Sequence, residues 1–247
     1  MAKYRHLSQA PIIEAVIDLR VTPDAGKKGL SSLESFHALI KTRYPKQEKQ
    51  RLLQGLVEFR QDAEPVSKVA DDHIGYRFSS DDNLQIVIAT LTGFTFSRLK
   101  PYNTWEHLKQ EAYELWQLYK EAVKPQSITR VATRFINRLE IPLPIRDFND
   151  YFLCAPVIPQ SLPQGVTSYF SRVVIQEPLL NAFAIVTHAL EQPARPNLLP
   201  FLLDIDVFKE AAFGSDKEVW ETIDKLRKIK NDIFFENITE RTAELFQ

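Results

Sequence analysis

From Ile13 to Val21 every second residue is apolar. Ile13, Ala15, Ile17, Leu19 and Val21 share one face, while Glu14, Asp18 and Arg20 lie on the other. A period of two is that of a half-buried strand, here Pro11–Thr22. The period then lengthens: Leu33, Phe36 and Ile40 step by three and four, which predicts a helix to about Tyr44, capped by Ser31 or Ser32 and stopped by Pro45. Alternation returns over Gly55–Arg60, Val66–Ala70, His73–Ser79, Leu84–Thr90 and Gly93–Leu99. The turns between them, such as Asp81-Asp82-Asn83 and Thr92-Gly93, are of hairpin type, so an antiparallel meander is expected.

A second helix is predicted from a Thr104 cap to about Val123, with Trp105, Leu108, Ala112, Leu115, Tyr119 and Ala122 on one stripe. It leads into Gln126–Pro144, a long strand of two unlike faces. Val131, Thr133, Phe135, Asn137, Leu139 and Ile141 form the core side; Arg130, Ala132, Arg134, Ile136 and Arg138 form the other. A proline-dense connector follows, with one or two helical turns around Asp147–Leu153. Strands are then expected at Thr167–Gln176, Asn181–Glu191 and Leu199–Lys209. Ser215 with Glu218 makes a capping box for a helix over Asp216–Phe235, its inner face Val219, Ile223, Leu226 and Ile233, and Thr239–Phe246 closes the chain.

This order of elements predicts an α+β fold: antiparallel sheet with long amphipathic helices on one face. Residues 1–144 and 166–247 read as two similar halves of meander plus helix, with 145–165 between them, or as one continuous domain. Phe96-Ser97-Arg98-Leu99 in the first half echoes Phe170-Ser171-Arg172-Val173 in the second.

Composition narrows the chemistry. With 31 basic against 32 acidic residues there is no global pull towards nucleic acid or anionic lipid. One cysteine, Cys154, rules out an intramolecular disulfide and a CxxC site; its apolar setting, FLCAP, predicts a buried, inert thiol. The five histidines form no HxH or HExxH pair, no serine lies in GxSxG, and the seven glycines form no phosphate-cradling loop. No run approaches the roughly 18–20 apolar residues of a membrane span, and no signal-peptide core is present, so a cytoplasmic location without membrane contact is expected. No cofactor is expected, and an enzyme less than a binding protein.

Two constellations remain. Arg130, Arg134 and Arg138 share a strand face to which Arg98 and Arg172 could add, and arginine's planar fork suits carboxylate and phosphate. These arginines admit three readings, in falling order of weight: pairing within the chain to Glu140, Glu177, Asp204 or Asp206; a protein-docking surface; a nucleic-acid surface. Asp204 and Asp206 point to one side of their strand, ~7 Å apart. Were it adjacent to the first strand, Glu14 and Asp18 would complete a four-carboxylate set for a divalent metal. A polar sheet face facing water or arginines is the stronger reading.

Several stretches occur in a familiar order: SQAPIIEAVIDLRV, FSRLKPYNTWEHLKQEAYELWQLY, ITRVATRFINRLEIP, and LLDIDVF before a terminal IKNDIFFENITERTAELF. In these, nearly the whole chain resembles the "sporadically distributed" family of prokaryotic proteins, which has no established activity. The R-x-x-x-R-[FY]-I-N-R stretch, here Arg130–Arg138, is the most specific part. The pattern breaks at Lys230-Asn231-Asp232, where the family would place a histidine, so no role of that histidine carries over. The resemblance implies an antiphage-defence or toxin–antitoxin setting. The function expected is therefore a non-catalytic binding or accessory subunit that docks a partner protein, as a hetero- or homo-oligomer. The alternatives are a nucleic-acid-binding protein using the arginine face and a metal-dependent phosphodiesterase using Glu14, Asp18, Asp204 and Asp206.

Overall fold

Alternation along the strands builds a single sheet. The computed structural model describes residues 1–24, 29–58, 66–193 and 195–247, with the side chains of residues 53–58 and 66–71 excepted. Nine strands form one antiparallel sheet: β1 (Ile12–Thr22), β2 (Lys46–Glu58), β3 (Val66–Ser79), β4 (Gln85–Thr90), β5 (Gly93–Leu99), β6 (Ser127–Pro142), β7 (Phe170–Glu177), β8 (Ala182–Leu190) and β9 (Leu198–Phe213). Their order is β2-β3-β4-β5-β1-β6-β9-β8-β7. The first strand thus sits at the centre, and β2 and β7 are the two edges.

One face of this sheet is dry. Across β5, β1, β6 and β9 the register sets Phe96 against Ile17, Ile17 against Thr133, and Phe135 against Ile205. Phe96, Ile17, Phe135 and Ile205 are all buried. The helices lie over them: α1 (Ser31–Ile40) on β3, α2 (Trp105–Val123) on β5 and β1, and α3 (Asp216–Asn237) on β6 and β9. A short α4 (Glu240–Glu244) ends the chain. Phe36, Phe78, Phe94, Trp116 and Tyr119 pack edge-on and tilted beneath α1 and α2. Burying an aromatic or aliphatic side chain contributes about 1.5–3 kcal/mol each, so this layer holds the sheet flat against the helices.

The caps follow the sequence in part. Thr104 accepts from the His107 amide at 3.2 Å, and Ser215 accepts from the Glu218 amide at 3.3 Å. Glu218 reaches back to the Gly214 amide at 2.9 Å. The first helix differs: Leu30 is its N-cap, and Ser32 instead donates to the Gly29 carbonyl at 3.0 Å. Its end at Ile40 leaves Tyr44 beyond the helix, where the buried ring puts its hydroxyl 2.6 Å from Glu111.

The two halves of the chain join edge to edge. β6 pairs with β9 from Ile128 opposite Phe213 to Pro142 opposite Leu198. Val66–Ala70 and His73–Ser79 are one strand, since the ladder with β2 continues through Asp71 and Asp72 with one irregularity near Gln50. The predicted strand Gly55–Arg60 ends in Phe59 and Arg60, which lie outside the described residues. The proline-dense connector carries a 3-10 turn at Phe148–Asp150, then buries Tyr151 and Phe152; the Phe152 ring stacks 3.9 Å from Phe201. Two residues after Phe152, Cys154 is exposed, not buried. The chain turns outward once Phe152 has been taken into the core.

Candidate docking edge and the ionic sheet face

The face of the sheet away from the helices carries the alternate residues. On β6 these are Arg130, Ala132, Arg134, Ile136 and Arg138. β6 lies between β1 and β9, so its arginines stand between Asp18 on one side and Asp204 and Asp206 on the other. Arg130 donates to Asp18 at 2.9 Å and lies 3.5 Å from Asp206, with its guanidinium 4.4 Å above the Phe208 ring. Asp18 also accepts from Thr95 at 2.7 Å and from Arg20 at 3.1 Å. Arg134 holds Asp204 through two parallel bonds of 2.8 and 2.6 Å, the fork-to-fork geometry of a strong charge-assisted pair. Arg138 Nε lies 3.0 Å from Glu191 Oε2, an ion pair without hydrogen-bond alignment.

The electrostatics of the face agree with this pairing. The bonds from Asp204 raise the Arg134 guanidinium, against the opposing effect of burial. Burial pushes the Asp206 carboxyl up, and Arg130 and Arg134 oppose that rise. Arg130, Arg134 and Arg138 are paired within the chain, to Asp204 and Asp206 as the first of the three readings expected, but also to Asp18 and Glu191 in place of Glu140 and Glu177.

Two predicted members leave the group. Arg98 lies opposite Ala15, so it shares the helix-covered side with Phe94 and Phe96. There it lines a cavity of about 280 Å³ with Gln85, His107 and Glu111, and its Nε has no hydrogen-bond partner. Its strand register carries it to the wrong face for the arginine surface. Arg172 does lie on the open face, opposite Thr187, but on edge strand β7, three strands from Arg130. It is exposed and has no ion pair or hydrogen bond among the described residues. The four carboxylates do not converge either. Glu14 and Asp18 on β1 are separated from Asp204 and Asp206 on β9 by the whole width of β6, and its arginines occupy the gap. Among the described residues no group of three or more His, Cys, Asp or Glu is placed to hold a metal ion.

The feature that sequence reasoning missed is the edge itself. On β7 both faces are bare. Phe170 is 70% exposed, Val174 56%, Val173 49% and Ile175 46%, and Leu179 in the following turn is 97% exposed. α3 packs on β6 and β9, so the Val173 and Ile175 side of β7 extends past the helical layer. On the open face Val174 lies beside Ile185, and Phe183 stacks 5.7 Å from Phe208, so apolar surface runs inward from the edge. One backbone edge of β7 bonds to β8, and among the described residues the other has no strand beside it. The signal was present in the sequence: Val173-Val174-Ile175 breaks alternation, and consecutive apolar residues on a strand require cover on both sides.

No family model matches the chain, and no curated protein matches it.

Proposed function

We propose that the chain is a non-catalytic binding subunit that docks protein through edge strand β7, and that the partner this strand fits is a second copy of the chain. The observation that carries the proposal is the unpaired edge with apolar side chains on both faces. An edge of this kind is a template for strand addition. Monomeric proteins blunt their edges with charge, proline or bulges, and β7 has only Arg172 and Glu177 across eight residues.

Self-pairing follows from the order of residues. A two-fold axis perpendicular to the sheet keeps each side chain on its own face, so partners must have the same parity. With the axis at Val174, that residue meets itself, Val173 meets Ile175, and Arg172 meets Gln176. Phe170 meets Pro178 next to Leu179. Every exposed apolar residue of the edge then gains an apolar neighbour, and no like charges oppose each other. Such an isologous contact closes as a dimer. Cross-strand pairs contribute about 0.2–1 kcal/mol each beyond the backbone bonds. In the defence or toxin–antitoxin setting implied by the family resemblance, the joined sheet would be the accessory assembly.

Light scattering of the purified chain at tens-of-micromolar concentration tests this. The expected mass is twice 28.5 kDa, falling to the single-chain value in Val174→Lys, where two lysines would face each other at the axis. A wild-type monomer, or a dimer indifferent to Val174→Lys, overturns the proposal.

A further inference from the structure

On the helix-covered side, the N-terminal segment, the loop before α2, β6 and α3 enclose a cavity of about 310 Å³. Its most unusual wall residue is Lys230. Val219, Ile223, Leu226, Lys230 and Phe234 step by three and four along the buried stripe of α3, so a lysine occupies a position where the pattern calls for an aliphatic residue. Lys230 is only 6% exposed. Its ammonium lies 3.9 Å from the centre of the Phe135 ring and forms no ion pair or hydrogen bond among the described residues.

One turn earlier, Arg227 faces the same cavity with its guanidinium 5.2 Å above Trp105, and it too has no ion pair with a carboxylate among the described residues. Ring faces compensate a cation by about 0.5–2 kcal/mol, well short of the cost of removing an ammonium from water. Burial, and then the neighbouring charge of Arg227, push Lys230 down to about 7. The cavity wall therefore mixes aromatic rings with polar groups: Arg5 is paired with Glu240, Glu106 is the one carboxylate on the wall, and Lys230 and Arg227 have no ion pair among the described residues.

Its lid is fixed at both ends. The Ala2 and Lys3 amides donate to the Ile238 carbonyl and Glu240 carboxylate, both at 3.0 Å, and Arg5 pairs with Glu240 at 2.6 Å. At the other end the Gln9 amide donates to the Phe246 carbonyl at 3.0 Å. Between these anchors Tyr4 accepts from Asn231 at 2.9 Å and closes one side of the cavity.

We propose that this cavity binds a small organic anion, a carboxylate or phosphate monoester on an aromatic or apolar body, with the charged end held by Lys230 and Arg227. The volume lies at the lower end of small-molecule sites, whose usual form is an apolar lining with a few convergent polar groups. An anion supplies the ion-pair partner that neither Lys230 nor Arg227 has among the described residues, and the rings contact its body. This site does not rest on assembly through β7.

Calorimetric titration of the full chain with phenylacetate, phenyl phosphate and the neutral phenylacetamide is the test. At least one anion is expected to bind, with the amide tenfold or more weaker. Lys230→Met should lose tenfold or more in affinity while remaining folded, and Arg227→Gln, at a half-buried position, should weaken binding in the same direction. Binding of phenylacetate alone assigns a carboxylate ligand, and of phenyl phosphate alone a phosphate monoester. Proton uptake on binding is expected above pH 7, since the anion favours the charged amine; Arg5, His6, Glu106 and Arg227, with Tyr4 and Tyr102, are the other ionisable groups facing the cavity. If neither anion binds, if the amide binds equally, or if both variants bind as the wild type does, the proposal fails.

Discussion

In the middle of the open sheet face Arg130 spans Asp18 and Asp206, and Arg134 grips Asp204 with two bonds. Three strands away Arg172 stands without an ion pair, among Phe170, Val174 and Ile185. Both regions belong to the same face of the same antiparallel ladder. They differ in whether the chain itself supplies the complement of each side chain. In the middle it does, because β1 and β9 bring carboxylates to both sides of an arginine-bearing strand. At β7 it does not, because the last strand has a neighbour on one side only. The middle is therefore structural, and the edge is where an outside partner has a place. The other edge sharpens the point: β2 presents exposed Lys46, Glu48, Lys49 and Arg51, a denser charged protection than the Arg172 and Glu177 of β7.

The largest effect separates the two regions. Arg130→Met leaves Asp18, 8% exposed, without its arginine on the β6 side, and removes the attraction that offsets the burial of Asp206. A loss of about 2–3 kcal/mol in chemical denaturation is expected, discounted from a fully buried pair because part of the site is wet, with the dimer mass unchanged below the transition. Val174→Lys should do the reverse. Dimer dissociation rises at least thirtyfold, about 2 kcal/mol, while the monomer's unfolding midpoint barely moves.

Lys230→Met comes next, with the opposite sign. A base whose folded pKa is depressed binds its proton less well in the fold, so the charge costs stability. That cost is absent above the unfolded value of about 10.4. It grows as pH falls to about 7 and is constant below. The variant should be more stable than the wild type by about 1–2 kcal/mol at pH 7, in line with replacing buried charge by an apolar side chain, and the gap should close above pH 10.4.

The smallest effect belongs to Asp216 at the start of α3. Burial alone would raise its carboxyl, but bonds from Lys120, Gln117 and Trp116 outweigh this and bring it below the ordinary value. Stability from this group is thus fully present above the carboxylate range and is lost on acidification. Asp216→Asn should cost under about 1 kcal/mol at neutral pH and flatten the acid limb of the stability profile.

Much of the fold was legible because period two and period 3.6 are local properties. The faces of β6 and the buried stripe of α2 lie where the two periods assign them, and β1 follows from Ala15 on. A register shift between Ile12 and Glu14 buries Ile12 in place of Ile13, and the stripe of α3 runs through Lys230 and Phe234, leaving Ile233 half-buried. The strand order was not legible, since pairing β1 with both β5 and β6 is decided between residues far apart in sequence, such as Asp18 and Thr95, which are 77 residues apart. Arg98 and Arg172 show the limit well. Phe-Ser precedes both, yet Phe96 is 1% exposed and Phe170 is 70% exposed. Arg98 has the same parity as buried Phe94 and Phe96, which could have assigned it to the helix side, whereas Arg172 shares parity with a phenylalanine that nothing covers. Lys230 was hidden for a related reason. It lies on the stripe of α3, but only packing against Phe135 shows that its ammonium is inside.

Hydrogen exchange at the β7 amides that do not bond to β8 tests the difference between middle and edge most directly. Protection that rises with protein concentration and disappears on dilution, while β6 stays protected throughout, is the predicted result. Fast exchange of those amides at every concentration would contradict the account, because it would leave the edge unpaired.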